Sequence, residues 1–533
     1  MRGRPERPED RQAMESAIMR IIDCHTHVPL DESQWPDFLG AMRRNGIMLA
    51  VVSGLGVRSW YQYPDLGEMR GANDMARRFC EYAGPVCKWL GYVNPQLPDA
   101  LEELERCVSL GCKGVKLWVS LKDPETGSMD AACRVLERAC QLGMPVKIHT
   151  FHRTGRNLPG EVDVREAAML AQAFPGTRIL AAHAGANWRL DNGVLCNARE
   201  NLPNFYVDIC GCLPVKGMVQ ELCKWLGSGH VLYGSDALGR SFSSQIAKVS
   251  CASIGDEDRE RIFFRNAVEF FGFTEAELAA AEGRFKELEP SAPTPPVDSS
   301  EDHAFIADLP GDAVFRSETP AAALSKTRAL GVRRTYASYG QSLFAWDLIS
   351  NNREFMEKYG KIEGMVPLAT LSPFCLNWRE VLEQAVAVGF QGAALFPYAQ
   401  NWNLADEAFA PFFQACAERR MPLWISLCIY DFRFHHPALA CRPVAQEELK
   451  AFIDRAPANR YVFLGAAPGD AETILASGRD DFRADVSRLL DCTGWLAKMI
   501  SKYGTERLVF GSEYPVREAD ANLFILRRHE ETV

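Results

Sequence analysis

The chain has 533 residues, which is too long for one ordinary domain and indicates at least two. Hydrophobic residues make up 47% of it and charged residues 24%, the composition of a soluble globular protein. The net charge of −10 argues against a nucleic-acid binder or a binder of anionic membranes, since both need a basic surface.

The N-terminal residues 1–19 are polar and charged and contain no apolar core. They predict a disordered extension rather than a secretory signal. The seventeen cysteines are dilute in a chain of this length, and many fall in segments with a core pattern. We therefore expect reduced cysteines in a cytoplasmic protein, with no segment long enough to span a bilayer.

Short apolar strands alternate with amphipathic helical stretches from residue 20 to residue 286. Eight strands can be counted, in the order IIDCHTH, MLAVVSG, KWLGYVNP, GVKLWVS, PVKIHT, RILAAHAG, FYVDICG and VLYGSD. Eight strand–helix units in about 250 residues match the size of a closed α/β barrel. We predict a (β/α)8 TIM-like barrel over residues 20–286.

Residues 287–302, ELEPSAPTPPVDSSED, lack apolar periodicity and predict a linker. The strand pattern then returns over residues 303–533, where GFQGAALFP echoes GCKGVKLWV and RLVFGSE echoes HVLYGSD. A constant 277 residues separates the members of three pairs, His149 and Ser426, Asp208 and Asp485, and Asp236 and Glu513. We infer a tandem duplication, and so two tandem TIM-like barrels, of which the second is degenerate. Whether the second barrel is complete at its C-terminus stays open.

Histidine or aspartate residues stand at the ends of four strands of the first predicted barrel, the first, fifth, sixth and eighth. Such strand ends form the barrel mouth, where active sites lie. A lone strand-end histidine is more often a hydrogen-bonded core or loop residue than a ligand. Together, however, these positions predict a metal site, since imidazole and carboxylate suit Zn²⁺ or a similar divalent ion. The residues are His25, His27, His149, His183 and Asp236.

The motifs D-x-H-x-H, I-H-T, A-H-x-G and G-S-D on these strands resemble the amidohydrolase superfamily, and in particular its amidohydrolase-related branch of metal-dependent hydrolases and decarboxylases. The resemblance implies one divalent ion, Zn²⁺ first, with Mn²⁺, Fe²⁺ or Co²⁺ as alternatives. The implied ligands are His25, His27, His149 and Asp236. It further implies that Asp236 accepts a proton from water, and that His183 polarises the substrate or binds a second metal.

A bound divalent ion lowers the pKa of its water towards ~7 and polarises a carbonyl, and a neighbouring carboxylate can act as general base. We therefore predict a hydrolase that activates water for attack on an amide, ester or lactone carbonyl of a small molecule. Two alternatives stay open. One is a metal-dependent non-oxidative decarboxylase or hydratase, and the other is a catalytically silent binding or regulatory protein.

Three basic residues near strand ends allow more than one interpretation. Lys116 is either a carboxylated lysine that bridges two metals or, as we favour, a lysine that pairs with Asp23 or Asp208 or binds a substrate anion. Lys147 is predicted to be a buried pairing partner. Arg58 is predicted to be a solvated loop residue rather than a substrate ligand.

The second predicted barrel lacks the histidine ligands. Aligning IADLPGD on IIDCHTH places Pro310 and Asp312 at the positions of His25 and His27. The other replacements are Ala394 for Lys116, Ser426 for His149, Gly465 for His183 and Glu513 for Asp236. Such a site should not hold zinc, so we predict a non-catalytic barrel that packs against the first. His435 and His436, near Cys428 and Cys441, match no zinc motif.

Overall fold

The computed structural model describes residues 20–153, 156–186, 189, 191–309, 318–429, 431 and 441–528. The predicted N-terminal extension, residues 1–19, lies outside these residues. Across the described ranges, no helix combines the length and the apolar character needed to cross a membrane. All seventeen cysteines are described, and each carries a free thiol.

Eight parallel strands form one sheet in the N-terminal half, and each strand pairs with the next along the chain. The last strand returns to the first, because the N–H of Cys24 donates to the carbonyl of Tyr233 at 3.0 Å. The sheet is therefore a nearly closed barrel, as the (β/α)8 prediction for this half requires. Its strands are β1 Ile21–His27, β2 Ile47–Ser53, β3 Cys87–Tyr92, β4 Val115–Leu117, β5 Val146–His149, β6 Ile179–Ala182, β7 Phe205–Asp208 and β8 Val231–Leu232.

Amphipathic helices surround this sheet and bury apolar side chains such as Phe38, Phe79 and Leu104 against it. Several helices begin with a capping box, for example Asp65 with Glu68. The helices are α1 Trp35–Asn45, α2 Leu66–Ala83, α3 Ala100–Ser109, α4 Asp130–Gln141, α5 Val164–Ala173, α6 Asn192–Asn201, α7 Met218–Trp225, α8 Phe242–Ser250, α9 Asp256–Glu260, α10 Asn266–Phe271 and α11 Glu275–Glu287.

The segment between the two halves is slightly shorter than the predicted linker, since the next strand begins at Glu301 rather than after residue 302. Its first part is attached to the N-terminal half through Ser291. The N–H of Ser291 donates to the carbonyl of Gly40 at 3.0 Å, and Nε of Arg44 donates to Oγ of Ser291 at 3.0 Å. The segment is therefore packed on α1 and does not act as a loose tether.

The C-terminal half also contains parallel strands in chain order, in a three-stranded sheet β11-β10-β9 and a six-stranded sheet β12 to β17. The sheets meet where the N–H of Leu368 donates to the carbonyl of Ala337 at 2.8 Å, and where the N–H of His303 donates to the carbonyl of Phe510 at 2.9 Å. The strands are β9 Glu301–Ala307, β10 Arg334–Tyr339, β11 Met365–Pro367, β12 Ala369–Thr370, β13 Ala393–Leu395, β14 Leu423–Ser426, β15 Tyr461–Leu464, β16 Phe482–Asp485 and β17 Leu508–Val509.

The helices of this half follow the same alternation, and the helix after β17 has only eight residues. The helices are α12 Pro320–Ala329, α13 Leu348–Tyr359, α14 Trp378–Val388, α15 Pro397–Gln400, α16 Ala410–Glu418, α17 Gln446–Arg455, α18 Pro468–Ala476, α19 Trp495–Tyr503 and α20 Ala521–Arg528.

Candidate metal centre

The five predicted site residues line a cavity of about 160 Å³ at the carboxyl end of the N-terminal barrel. His25 and His27 lie on β1, His149 ends β5, His183 follows β6 and Asp236 follows β8. All strands of a parallel barrel end at one mouth, so residues far apart in the sequence meet there.

A buried carboxylate, Asp23, joins β1 to the segment that carries Asp236. Its Oδ1 accepts the N–H groups of His25 and Ser235, both at 3.0 Å, and its Oδ2 accepts the hydroxyl of Ser235 at 2.5 Å. Burial raises the pKa of Asp23 to about 7, although these hydrogen bonds oppose the shift. These hydrogen bonds fix the position of the first strand relative to the segment that follows the last strand.

Two of the predicted catalytic residues have a strained backbone. The φ angles of His183 and Asp236 are +64° and +58°, in the left-handed region that non-glycine residues rarely adopt. Such a conformation costs roughly 1–3 kcal/mol and persists only where the surrounding structure enforces it. Here the N–H of Asp236 donates to the carbonyl of His25 at 2.7 Å, which holds the residue over β1.

Three potential ligand atoms converge in the cavity: Nε2 of His25, Nε2 of His27 and Oδ1 of Asp236. Oδ1 of Asp236 lies 3.1 Å from Nε2 of His27 and 3.9 Å from Nε2 of His25. Burial lowers the pKa of His27, so its ring is neutral at neutral pH. Nδ1 of His27 lies 3.3 Å from the carbonyl of Ser53 and can donate to it, and in that tautomer Nε2 keeps its lone pair.

In the other tautomer Nε2 of His27 donates to Oδ1 of Asp236, and a bound cation would take the place of that proton. Burial alone would raise the pKa of Asp236, but the surrounding histidines lower it below its usual range, so the carboxylate is ionised. The residues present therefore fit a divalent cation, by the chemistry of their donor atoms.

Asp208 orients His25. Its Oδ2 lies 2.8 Å from Nδ1 of His25, and its Oδ1 accepts the N–H of His183 at 2.7 Å. A carboxylate in this position fixes the tautomer of a metal-binding histidine and turns its other nitrogen to the metal. One buried side chain thus aligns groups on β1 and β6.

His149 lies beside the three-atom group rather than within it. Its Nε2 lies 2.9 Å from Oε1 of Glu161, and its Nδ1 lies 3.2 Å from Nε2 of His183. Burial alone would raise the pKa of Glu161, but hydrogen bonds from His149 and Arg153 lower it to about 2. Sequence analysis missed Glu161, because it lies in a loop without strand or helix periodicity.

A buried thiol, Cys210, lies among the residues behind the three-atom group. Its Sγ lies 3.0 Å from Nδ1 of His25, 3.2 Å from Nδ1 of His183 and 3.0 Å from Oδ1 of Asp208. Burial, and then the neighbouring Asp208, raise the pKa of the Cys210 thiol well above its usual value. The neutral thiol can therefore donate to Asp208, within a group of contacts that also includes His25 and His183.

Lys116 does not make the predicted ion pair with Asp23 or Asp208 among the described residues. Its Nζ instead lies 3.2 Å from Nε2 of His25, at the edge of the cavity. Burial lowers the pKa of Lys116 to about 7, helped by the nearby positive charge of Lys147. A lysine in this position can hold an anionic group of a substrate.

Lys147 and Arg58 do not line the cavity. Lys147 is buried as predicted, but its partner is a backbone group, the carbonyl of Cys24 at 3.0 Å. Arg58 is exposed, as predicted for a solvated loop residue. His435 and His436 lie outside the described residues.

Aromatic rings form the walls of the cavity. The ring of Trp60 lies 4.8 Å from that of His27, and the ring of Trp118 lies 6.5 Å from that of His149. Phe151 stacks beside His149 at 6.0 Å. Such walls exclude water and strengthen the electrostatic interactions inside the site.

Residues 22–273 match a family model described as Amidohydrolase. This match supports the amidohydrolase superfamily for the N-terminal barrel, in agreement with the resemblance of its motifs. A search of curated proteins finds no match for this chain.

Several solved structures resemble about half of this chain. A 2,6-dihydroxybenzoate decarboxylase from Rhizobium is 18% identical, with a TM-score of 0.37, and the match covers 48% of this chain and 98% of that one. A 4-oxalomesaconate hydratase from Rhodopseudomonas palustris is 16% identical, with a TM-score of 0.37 and coverage of 50% and 99%. A dihydroxybenzoic acid decarboxylase from Polaromonas sp. JS666, which contains bound manganese, is 18% identical, with a TM-score of 0.36 and coverage of 49% and 98%.

Hydrogen bonds show which residues of β9 lie at the strand positions that His25 and His27 have on β1. The N–H of Ile306 donates to the carbonyl of Tyr514, just as the N–H of His27 donates to that of Ala237. Ile306 therefore stands at the position of His27, and two residues earlier Ala304 stands at that of His25. The predicted correspondence with Pro310 and Asp312 is wrong, because the residues at these two strand positions are Ala304 and Ile306, and β9 ends at Ala307. Pro310 and Asp312 themselves lie outside the described residues.

The other predicted replacements have the expected places. Ser426 ends β14, Ala394 lies on β13 and Gly465 follows β15. The carboxylate of Glu513 accepts hydrogen bonds from Oγ of Ser487 at 2.9 Å and from Nε of Arg517 at 2.7 Å. In the described part of the C-terminal half, no three His, Cys, Asp or Glu ligand atoms lie within 4.8 Å of one another.

Proposed function

We propose that the N-terminal barrel, residues 20–286, is a metal-dependent hydrolase that activates water for attack on an amide, ester or lactone carbonyl of a small molecule. The observation that carries this proposal is the convergence of His25, His27 and Asp236, whose potential ligand atoms all lie within 4.8 Å of one another. Two imidazole nitrogens and a carboxylate oxygen are ligands that a divalent cation binds.

His25, His27 and Asp236 would hold the ion, with His149 as a fourth ligand. Two imidazoles and a carboxylate favour Zn²⁺, and Mn²⁺, Fe²⁺ or Co²⁺ would also suit these ligands. When bound, such an ion lowers the pKa of water towards about 7 and polarises a carbonyl.

The chain's own residues supply proton transfer and positioning. Asp236 is ionised, and its carboxylate is 21% exposed towards the cavity, so it can accept the proton of an attacking water. His183 is neutral, because burial lowers its pKa to about 3, and it can donate a hydrogen bond to a substrate carbonyl. The aromatic walls, among them Trp60, would exclude bulk water from the reaction.

The test is an activity screen of metal-free full-length protein after addition of Zn²⁺, Mn²⁺, Fe²⁺ or Co²⁺. Lactones, amides, esters and aromatic carboxylates are the substrates, and acid release and CO₂ release are measured separately. Elemental analysis of the purified protein should give about one divalent ion per chain. Protein that binds no ion and shows no activity would instead fit a catalytically silent binding protein.

A second candidate is a metal-dependent non-oxidative decarboxylase or hydratase at the same site. The position of Lys116 favours it, because Nζ lies beside Nε2 of His25 and borders the cavity. There the ammonium group could hold a substrate carboxylate next to the metal. Release of CO₂ without acid release from lactones or amides would select the decarboxylase.

We further propose that residues 303–533 are a degenerate copy of the amidohydrolase-like barrel, joined by the linker 287–302. Its strand order and the hydrogen bonds of β9 support this proposal. Loss of the imidazole ligands leaves it without a zinc site. Its role would be that of a built-in partner for the first barrel.

The contacts between the halves are consistent with such a pseudo-dimer. The N–H of Lys216 donates to the carbonyl of Val516 at 2.8 Å, and Oγ1 of Thr493 donates to the carbonyl of Arg240 at 2.7 Å. Lys216 and Thr493 are 277 residues apart and face equivalent loops, as in an isologous interface. The loop after Asp236 is thus supported by the C-terminal half.

A further inference from the structure

Each histidine on β1 has a fixed acceptor at Nδ1, so that Nε2 is the nitrogen on the side of the cavity. For His25 the acceptor is Asp208 at Nδ1, and for His27 it is the carbonyl of Ser53 at Nδ1. Both histidines therefore present Nε2 to the cavity. His149 is arranged the other way round, because its Nε2 is the nitrogen that faces an acceptor, Oε1 of Glu161.

We propose that Glu161 is a positioning residue that sets the tautomer of His149 and makes Nδ1 its metal-binding nitrogen. This inference rests on the proposed metal-dependent function and adds a residue to it. The carboxylate of Glu161 accepts hydrogen bonds from Arg153 and from the N–H of Leu158, so it faces Nε2 of His149 as an acceptor and places the ring proton on that nitrogen. Nδ1 then carries the lone pair, on the side of the ring that meets His183.

Glu161 is fixed well enough to impose this choice. Its side chain is fully buried, and Nε and Nη2 of Arg153 donate to its two oxygens at 3.0 and 3.1 Å. The N–H of Leu158 donates to Oε2 at 2.9 Å. These contacts satisfy both oxygens, so the carboxylate is held in one orientation.

The loop that carries Glu161 is itself tied to the end of β5. Thr150 and Val162 form a parallel bridge, and the N–H of Phe151 donates to the carbonyl of Val162 at 2.9 Å. Backbone hydrogen bonds therefore join the loop of Glu161 to the residues that follow His149. They hold the carboxylate and the imidazole close to each other.

A purely structural alternative is that Glu161 only anchors the loop through Arg153. The two roles predict different effects of substitutions on metal binding. If Glu161 positions His149, removing the carboxylate changes metal binding more than removing its arginine partner does. If it only anchors the loop, the variants Glu161→Ala and Arg153→Met weaken metal binding equally.

The experiment uses metal-free full-length protein titrated with Co²⁺. The readouts are the dissociation constant, by competition with a chromophoric chelator, and the ligand-field absorption spectrum. Glu161→Ala should weaken Co²⁺ binding by about ten- to a hundredfold and change the spectrum. Glu161→Gln keeps an acceptor oxygen for Nε2 and should lose less.

Glu166→Ala is the matched control, because Glu166 lies on the same segment, caps α5 and pairs with Lys122. Its Co²⁺ affinity should equal that of the wild type. Wild-type affinity and spectrum in Glu161→Ala would overturn the positioning role while leaving the metal site intact. Equal losses in Glu161→Ala, Glu161→Gln and Arg153→Met would also overturn it, in favour of loop anchoring. A wild-type protein that binds no Co²⁺ would defeat the proposed function itself.

Discussion

Gly465 occupies in the C-terminal half the backbone position that His183 occupies in the N-terminal half. The N–H of Gly465 donates to Asp485 at 3.2 Å, as that of His183 donates to Asp208 at 2.7 Å, and the two φ angles are +65° and +64°. The left-handed turn is therefore present in both halves, whereas the imidazole is present only in the N-terminal half. Glycine adopts this conformation without the strain that His183 bears.

This relationship predicts that Gly465→Ala destabilises the protein. A Cβ at residue 465 would lie 2.1 Å from the carbonyl oxygen of Cys428, and the residue would also have to hold a left-handed φ. We expect a loss of about 1–3 kcal/mol in the free energy of unfolding, measured by urea denaturation. Gly229→Ala is the control, since a Cβ there meets nothing within 4 Å. Equal stability of the two variants would contradict the prediction.

We expect His25→Ala and Asp236→Asn to abolish turnover while the chain still folds. The barrel is held mainly by its apolar core, and the side chains at the mouth contribute little to it. Loss of a general base alone typically lowers the rate by about 10²–10⁴-fold. Circular dichroism and steady-state rates on the identified substrate would check both statements. Near-normal rates in Asp236→Asn would exclude its role as base.

The stability of the C-terminal half should depend on pH through Asp302, which accepts the N–H groups of Ala304 and Ser512. Burial, opposed by these hydrogen bonds, raises the pKa of Asp302 from 3.8 to about 6. A raised pKa means that the folded state favours the proton, so its stabilising contribution is complete below pH 3.8 and is lost as the pH rises through about 6.

Asp302→Asn cannot ionise, so this variant should not lose that contribution between pH 4 and 6. The measurement is the unfolding free energy at several pH values for wild type and variant. Asp480→Asn, at an exposed position, is the control and should follow the wild-type curve. Parallel curves for wild type and Asp302→Asn would show that Asp302 is ionised throughout.

Expression of residues 1–290 alone should give aggregates or new homodimers. All but the last residue of α8, Phe242–Ser250, are buried in the full chain, and α8 packs against α20 of the C-terminal half. Removing that half would expose an apolar surface next to the loop of Asp236. Size-exclusion chromatography with light scattering would test this. A monomeric and fully active N-terminal half would show that the C-terminal half is dispensable.

Sequence periodicity was sufficient for the N-terminal barrel, because short and mainly apolar strands alternate with helical segments, and distinctive residues such as His149 and Asp236 lie at or just after the strand ends. Glu161 could not be predicted in the same way. It acts from a loop, and its contact with His149 depends on how that loop folds back on β5.

The error at β9 has a physical origin. The letters IADLPGD resemble the first strand, but β9 is EDHAFIA, which lacks its apolar start. The residue that indicates the correct alignment is Asp302, which accepts the N–H of Ser512 as Asp23 accepts that of Ser235. A carboxylate that joins the first and last strands is retained where the ligands are not, since it stabilises the barrel rather than the chemistry.

The interior of the C-terminal half limits what could be built there. The ring of Trp424 lies 4.9 Å from that of Tyr336, which in turn stacks on His303 at 4.7 Å. Trp424 pairs with Ala394 across the sheet as Lys147 pairs with Lys116 in the other half, so a large apolar ring lies where the N-terminal barrel has a cation. Metal ligands introduced alone would leave these stacked rings in place. An engineered metal site in this half should therefore begin by shrinking Trp424.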